Sequence, residues 1–165
     1  MIEIILKRRS IRKFTTQPVN EGDVQRLLEA AMAAPSSNNL KPWHYVVTTD
    51  RKTLDGLAQA HPYGKMLREA TLAIAVCADP RTSPTGWVQD CSAATENILL
   101  AATALGLGSC WVGCHPHEDQ KEAIREVLKV PPNIEILSLL AIGHPGEEKE
   151  PRTQFDSSRV HREKW

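Results

Sequence analysis

The densest group of candidate functional side chains lies near the N-terminus, in the run KRRSIRKF from Lys7 to Phe14. Seven consecutive residues of this run, KRRSIRK, contain five cations, which surround Ser10. An arginine guanidinium donates two parallel hydrogen bonds to a phosphate, and a serine hydroxyl adds a neutral donor. The run therefore predicts a binding site for a small anion, with a solvated charged surface and a nucleic-acid-binding arm as the alternatives.

A second candidate group is the polar loop PSSNNLKPW, from Pro35 to Trp43. Ser36, Ser37 and Asn39 are short hydrogen-bonding side chains, and such groups suit a polyhydroxylated ligand chain. Serine, asparagine and proline are also ordinary turn residues, so an exposed turn without a ligand is the alternative interpretation.

Cys110 and Cys114, followed by His115 and His117, have a spacing that zinc sites allow. We reject a zinc site, because both cysteines fall on one face of the apolar run CWVGC and the second half of a four-ligand set is missing. The sequence also has no catalytic triad signature, Walker loop or paired-carboxylate site. If the protein is an enzyme, a cofactor is expected to carry its chemistry.

The composition is that of a soluble globular protein: 165 residues are 41% hydrophobic and 24% charged, and 20 Lys and Arg balance 20 Asp and Glu. We expect one domain, residues 1–165, and no nucleic-acid or membrane partner. The segment 97–117 carries no Lys, Arg, Asp or Glu, but its glycines indicate a buried helix followed by a strand. Four cysteines without a signal peptide predict reduced thiols and a cytoplasmic location.

Hydrophobic periodicity predicts alternating helices and strands, and we expect an α+β fold with a mixed central sheet flanked by helices. The wholly apolar runs LAIAVCA and IEILSLLAIG predict strands buried on both faces, and Asn20 and Asp50 are expected to cap helices. In the polar tail, Phe155, Val160 and Trp165 are spaced apolar residues, which predicts a tail lying across a second subunit. Further predicted elements are a helix around Ile2, Ile5 and Leu6, the strand WHYVVTT, helical turns at 65–70, a helix at 87–105, the strand SCWVGC and a helix at 118–128.

Five motifs, in order along the chain, together resemble the FMN-dependent nitroreductase family. The resemblance extends from Lys7 to Trp165. The motifs are RRSIRKF, APSSNNLKPWHYVV, KMLREATLAIAVCAD, AATENILLAATALGLGSCWVG and AIGHPGEEKEPRTQFDSSRVHREKW.

The resemblance implies an intertwined homodimer with FMN bound where the two copies meet. It implies an oxidoreductase that passes hydride from NADH or NADPH through flavin N5 to a nitroaromatic, a quinone or a flavin, in a ping-pong sequence. The flavin carries this chemistry, so no side chain is assigned as catalytic and no metal is expected. Reductive dehalogenation or flavin cleavage on the same fold, and a non-enzymatic anion- or nucleic-acid-binding domain, are the alternatives.

Residue by residue, the resemblance assigns Arg8 and Ser10 to the FMN phosphate and ribityl end, and Arg12 to the ribityl and pyrimidine side. It places Lys65 beside the pyrimidine as a residue that tunes the flavin, and the Gly113 backbone near flavin N5. Pro35, Ser36, Ser37 and Asn39 belong to a loop that reaches the flavin from the other subunit. Arg152 is expected at the phosphate, and Arg9 and Val112 complete the predicted cofactor site.

The sequence departs from the family pattern at four positions. Lys41 replaces a common glutamine, Pro62 an asparagine, and Gln154 a second C-terminal basic residue, while Val112 stands where some members carry an acid. Phosphate binding is therefore expected to depend more on Arg8 and Arg152. Whether Lys149 or Gln154 also contacts the phosphate is left open by the sequence.

Overall fold

The computed structural model describes residues 2–165. Five α-helices and four strands alternate along most of the chain, with short 3-10 turns between them. The helices are α1 (Ile2–Lys7), α2 (Glu21–Met32), α3 (Arg51–Ala60), α4 (Trp87–Ala104) and α5 (Glu118–Leu128). The strands are β1 (Trp43–Thr48), β2 (Leu72–Ala78), β3 (Gly108–Gly113) and β4 (Glu135–Gly143). The 3-10 turns are Ser37–Asn39, Lys65–Arg68 and Ser157–Arg159.

Both predicted helix caps are present. The Asn20 side chain accepts the Asp23 backbone N–H at 2.8 Å, and Asp50 accepts that of Thr53 at 2.8 Å. Each cap pairs one of the N–H groups that the first turn of a helix leaves without an intrahelical acceptor. The chain therefore enters α2 and α3 at the positions that the sequence predicts.

The four strands are arranged in the order β1-β2-β4-β3, and all three neighbouring pairs are antiparallel. The prediction of an α+β fold is confirmed, but the expected mixed sheet is antiparallel within residues 2–165, apart from an isolated parallel bridge between Ser10 and Ser109. The connections through α3 and α5 each leave and re-enter the sheet at the same end, so the strands that they join are antiparallel neighbours. The connection through α4 crosses to the opposite end, so β2 and β3 run parallel with β4 antiparallel between them. Helix and strand periodicity in the sequence does not reveal this choice of end.

The sheet has a hydrophobic cluster on each face. Helices α2 and α4 cover the face that carries Leu72, Ile74 and Val76 of β2. Helices α3 and α5 cover the opposite face, with Ala73 and Ala75. Strand β2 is therefore buried on both faces, as predicted, while β1 and β3 are the edge strands.

The C-terminal tail is exposed from residue 150 onward, whereas His144, Glu147 and Lys149, nearer to β4, are half-buried. Phe155 is 86% exposed and Trp165 is fully exposed at 100%, so these apolar side chains are not covered by the described part of the same chain. The expectation that they contact a second subunit stays a prediction. Among residues 2–165, the helices lack the combination of length and apolarity that a membrane crossing requires.

Candidate functional site

One cleft brings together three of the predicted site residues, Arg12, Lys65 and Val112, beside the edge strand β3. Its volume is about 490 Å³. One wall is formed by the segment between α3 and β2, and the other by β3 with the N-terminal segment. The remaining lining residues are Pro62, Tyr63, Met66, Cys110 and Trp111.

The N-terminal segment reaches this cleft because its backbone pairs with β3. The Ile11 N–H donates to the Ser109 carbonyl oxygen at 2.9 Å, next to the bridge between Ser10 and Ser109. The approach is close, since a Cβ added to Gly108 would lie 2.8 Å from Cγ2 of Ile11. Glycine at 108 therefore allows the segment to lie against β3 and to present Arg12 to the cleft.

A second set of contacts holds the N-terminal segment from its other side. Oε1 of Glu147 accepts the Arg12 backbone N–H at 2.6 Å, and Nζ of Lys149 donates to the Ser10 carbonyl at 2.7 Å. Lys149 also pairs with Glu147 at 3.0 Å. The Arg12 N–H, together with Lys149, lowers the pKa of the Glu147 carboxyl below its ordinary value. Lys149 thus fixes the backbone that carries Ser10 and Arg12.

Arg8 and Arg9, on the N-terminal segment, and Arg152, on the C-terminal tail, are not among the residues that line this cleft. Nε of Arg8 lies 3.4 Å from Oε1 of Glu96, and the Arg9 guanidinium donates to the Glu150 carbonyl. The Arg152 backbone N–H donates to the Leu6 carbonyl at 3.0 Å. Acidic and carbonyl oxygens therefore already compensate part of the basic run, which weakens the case for a nucleic-acid-binding arm.

The predicted loop residues Pro35, Ser36 and Ser37 line a separate cleft of about 490 Å³ at the start of α4. Buried Asp90 holds this loop: its Oδ1 accepts the Ser37 N–H at 2.8 Å, and its Oδ2 accepts the Ser83 hydroxyl at 3.1 Å. Asn39, at the end of the loop, has a φ of 58° and is exposed. Asp90 was not singled out from the sequence.

The two clefts share no lining residue, so one copy of the chain does not bring the loop to Arg12 and Lys65. From the sequence, the loop is expected to lie away from Arg12 and Lys65 of its own copy only because the loop is expected to contact the cofactor of a second copy. That assignment stays a prediction.

His61 is a residue of the cleft region that the sequence reasoning missed. It is 2% exposed, its Nε2 lies 2.9 Å from the Gly113 carbonyl oxygen, and its Nδ1 accepts the Tyr63 N–H at 3.1 Å. Because Nδ1 is an acceptor, the proton resides on Nε2 and is donated to Gly113. The only sequence signal is a histidine at the end of a predicted helix, four residues before Lys65.

The cleft fits the mononucleotide that the family resemblance implies. Arg12 and Lys65 are exposed cations on its two sides, which suits a ligand with a phosphate and a ring that gains negative charge on reduction. Apart from its chain neighbours, no described residue has a heavy atom within 4 Å of the position that a Cβ would take on Gly113. The Gly113 backbone is therefore open to close approach by a planar group.

Comparison with known proteins identifies relatives over almost the whole chain. The sequence model described as "Nitroreductase family" matches residues 5–61 and 55–144. A relative from Archaeoglobus fulgidus, by name a candidate NADH dehydrogenase/NAD(P)H nitroreductase, is 46% identical over 170 residues, covering 99% of this chain and 98% of its own.

Solved structures agree with this match. An FMN-dependent nitroreductase from Clostridium difficile has 35% identity and a TM-score of 0.95, with 100% of both chains covered. The NADPH:FMN oxidoreductase of Vibrio harveyi, complexed with NAD+, has 28% identity and a TM-score of 0.86, covering 99% of this chain and 77% of its own. The resemblance predicted from the five sequence motifs is confirmed, and the chain belongs to the nitroreductase family.

Proposed function

We propose that this chain transfers hydride from NADH or NADPH, through bound FMN, to a small acceptor such as a nitroaromatic, a quinone or a flavin. Family membership and the FMN-dependent and NADPH:FMN relatives support FMN as the cofactor and NAD(P)H as the donor. The observation that carries the proposal is the cleft in which Arg12 and Lys65 flank β3 beside the open backbone of Gly113.

Bound FMN supplies a ring system that accepts a hydride from the donor and passes reducing equivalents to the acceptor. The protein supplies binding and electrostatics. Arg12 orients the ribityl and pyrimidine side, and Lys65 stabilises the negative charge that develops on the ring during reduction. Buried Met66 and Val112 exclude water from the floor of the cleft. Donor and acceptor use the same open side in turn, which is a ping-pong sequence.

We further propose that residues 1–165 form one domain that works as a homodimer in the cytoplasm. The exposed apolar tail residues Phe155 and Trp165 support contact with a second copy. So does the separation of Pro35, Ser36 and Ser37 from the cleft of Arg12, because the two clefts share no lining residue. In this arrangement the loop of one copy completes the cofactor site of the other, while Arg8, Ser10 and Arg152 bind the phosphate. The four buried free cysteines support a reducing compartment.

The experiment is an FMN titration of the apoprotein, followed by anaerobic addition of NADH or NADPH. We expect quenching of FMN fluorescence on binding, loss of the oxidised flavin absorbance with at least one of the two donors, and its return on addition of a quinone. Failure to bind FMN would overturn the proposal. Binding without reduction by either donor would restrict the chain to flavin binding.

A further inference from the structure

A buried histidine connects the two walls of the cleft. We propose that His61 is a positioning residue that fixes the Gly113 backbone for FMN, by donating its Nε2–H to the Gly113 carbonyl. The inference rests on the proposed function and adds a residue to the site that neither the sequence motifs nor the family comparisons assign.

The imidazole of His61 makes a hydrogen bond at each of its two nitrogens. Its Nε2 lies 2.9 Å from the Gly113 oxygen, and its Nδ1 lies 3.1 Å from the Tyr63 nitrogen, which is a donor. The ring is buried, at 2% exposure, so both bonds are made away from bulk water. A buried polar group that loses its only partner is costly, which makes this orientation of the ring strongly preferred.

The segment that carries His61 is a turn held by backbone hydrogen bonds. The His61 N–H donates to the Leu57 carbonyl at 3.3 Å, and the Gly64 N–H donates to the His61 carbonyl at 2.9 Å. A Cβ on Gly64 would lie 3.1 Å from Cβ of His61, so this turn is tight. Lys65 follows it directly. These contacts hold the turn in one conformation, and the turn therefore fixes the position of the cleft wall that carries Lys65.

The peptide unit between Gly113 and Cys114 lies at the other end of the hydrogen bond from His61. The carbonyl of Gly113 accepts from His61, and the N–H of the same peptide unit, from Cys114, donates to the Leu137 carbonyl at 3.0 Å. Both polar atoms of the unit are paired, so its plane is fixed. Gly113 itself is exposed, and no described residue other than its chain neighbours has a heavy atom within 4 Å of the position that a Cβ on it would take, so packing over this position does not restrain it. The His61 bond supplies that restraint.

The two hydrogen bonds together require the donor and acceptor pattern of a neutral histidine. A planar side chain that donates at one end and accepts at the other meets both demands without burying a charge. Glutamine places an N–H donor near the position of Nε2, whereas asparagine is too short to reach Gly113. Phenylalanine fills the space but makes neither bond. Comparing the three replacements therefore distinguishes the contribution of the bond to Gly113 from the contribution of the bond to Tyr63 and from that of side-chain packing.

The experiment compares His61→Gln, His61→Asn and His61→Phe with the wild type, and uses His44→Asn, an exposed histidine on β1, as the matched control. FMN affinity is measured by fluorescence titration of each apoprotein, the flavin midpoint potential by spectroelectrochemistry, and folding by thermal unfolding without FMN. In the wild-type apoprotein, ¹⁵N NMR of the imidazole reports which ring nitrogen carries the proton.

We expect protonated Nε2 in the wild type. His61→Asn and His61→Phe should bind FMN about ten-fold more weakly, the effect of one buried hydrogen bond, and shift the midpoint potential. His61→Gln should stay within about three-fold of the wild type, and His44→Asn should be unchanged.

Three results would overturn the inference: a proton on Nδ1, equal FMN affinity in all variants, or His61→Gln behaving like His61→Phe. The NMR measurement decides even if a variant does not fold. A wild type that binds no FMN contradicts the proposed function instead, so the two failures are distinguishable.

Discussion

Oε1 of Glu147 accepts the backbone N–H of Arg12 at 2.6 Å, across 135 residues of sequence. Glu147 also pairs with Lys149, which donates to the Ser10 carbonyl. The segment after β4 therefore holds the N-terminal cationic segment in place, and this segment pairs with β3 on its other side. This two-sided restraint explains how a short basic run outside the regular helices and strands presents Arg12 at a defined place in the cleft.

We expect Glu147→Gln to change the acid sensitivity of the apoprotein. Hydrogen bonding by the Arg12 N–H lowers the pKa of Glu147 below its ordinary 4.5 in the folded state. The stability that this carboxylate contributes is thus present above pH 4.5 and is lost as the pH falls through the lower, folded-state pKa. Thermal unfolding across this range should show Glu147→Gln less stable than wild type above pH 4.5, with the difference shrinking in acid. Glu148→Gln, an exposed neighbour, is the control, and a difference independent of pH would contradict the assignment.

Lys65→Met should retain FMN but lower its midpoint potential and slow reduction by NADH. Removing the positive charge destabilises the reduced, more negative flavin relative to the oxidised form. A shift of about 30 mV corresponds to ~1.4 kcal/mol for a two-electron couple. Potentiometry of Lys65→Met beside Lys52→Met, an exposed lysine on α3, measures it. Equal potentials in the two variants would remove Lys65 from the flavin site.

Arg8→Ala should weaken FMN binding by roughly 1.5 to 3 kcal/mol, the range for a hydrogen bond to a charged group. In the structure its guanidinium pairs with Glu96 at 3.4 Å, a partner that phosphate replaces in this account. Fluorescence titration should show the loss in Arg8→Ala and not in Arg26→Ala, an exposed arginine on α2 that pairs with Asp23 at 3.6 Å. If both variants bind FMN like the wild type, Arg8 does not bind the phosphate.

Asp90→Ala should release the loop that contains Ser36 and Ser37. The substitution leaves the Ser37 N–H and the Ser83 hydroxyl without their carboxylate partner, which costs about 1 to 3 kcal/mol of stability. FMN affinity should fall as well, because the loop is no longer held in a single conformation. Chemical denaturation and FMN titration of Asp90→Ala and of the control Thr82→Ala, an exposed residue of the loop before α4, test this. A destabilised variant with unchanged FMN affinity would show that Asp90 supports the fold and not the site.

The native protein should resist alkylation of its cysteines at neutral pH. Burial raises the pKa of Cys77, Cys91 and Cys114 to about 12, so almost none of each thiol is in the reactive thiolate form. Burial also raises the pKa of Cys110, which lines the cleft. Mass spectrometry after iodoacetamide treatment should find four labels only in unfolded protein. Rapid labelling of the folded protein at Cys77 or Cys114 would contradict the burial described.

Local sequence patterns predicted the helices and strands well, because buried apolar residues recur along the sequence with the period of a helix or a strand. The run LAIAVCA is β2, and the helix predicted at 118–128 is α5 with the same ends. The helix predicted at 87–105 ends one residue earlier, at Ala104, and the turns predicted at 65–70 form a 3-10 turn over Lys65–Arg68.

Contacts between residues that are far apart in the sequence leave no such pattern. The antiparallel direction of the strands, the bond from Glu147 to the Arg12 N–H and the bond from His61 to Gly113 all depend on where the chain returns in space. The family resemblance supplied Arg12 and Lys65 as site residues, yet not the residues that hold the site in shape. Asp90, Glu147 and His61 were found only from the structure.

The most direct test of the account is complementation between two defective copies. Arg12→Ala lacks the cleft side of the site, and the combined Ser36→Ala and Ser37→Ala lacks the loop side. If each FMN lies between two copies, refolding the two variants together produces mixed dimers with one intact and one doubly defective site. Random pairing then restores wild-type FMN affinity in about a quarter of the sites. A mixture that titrates as the sum of its two parents, with no high-affinity sites, would contradict an FMN site shared between copies.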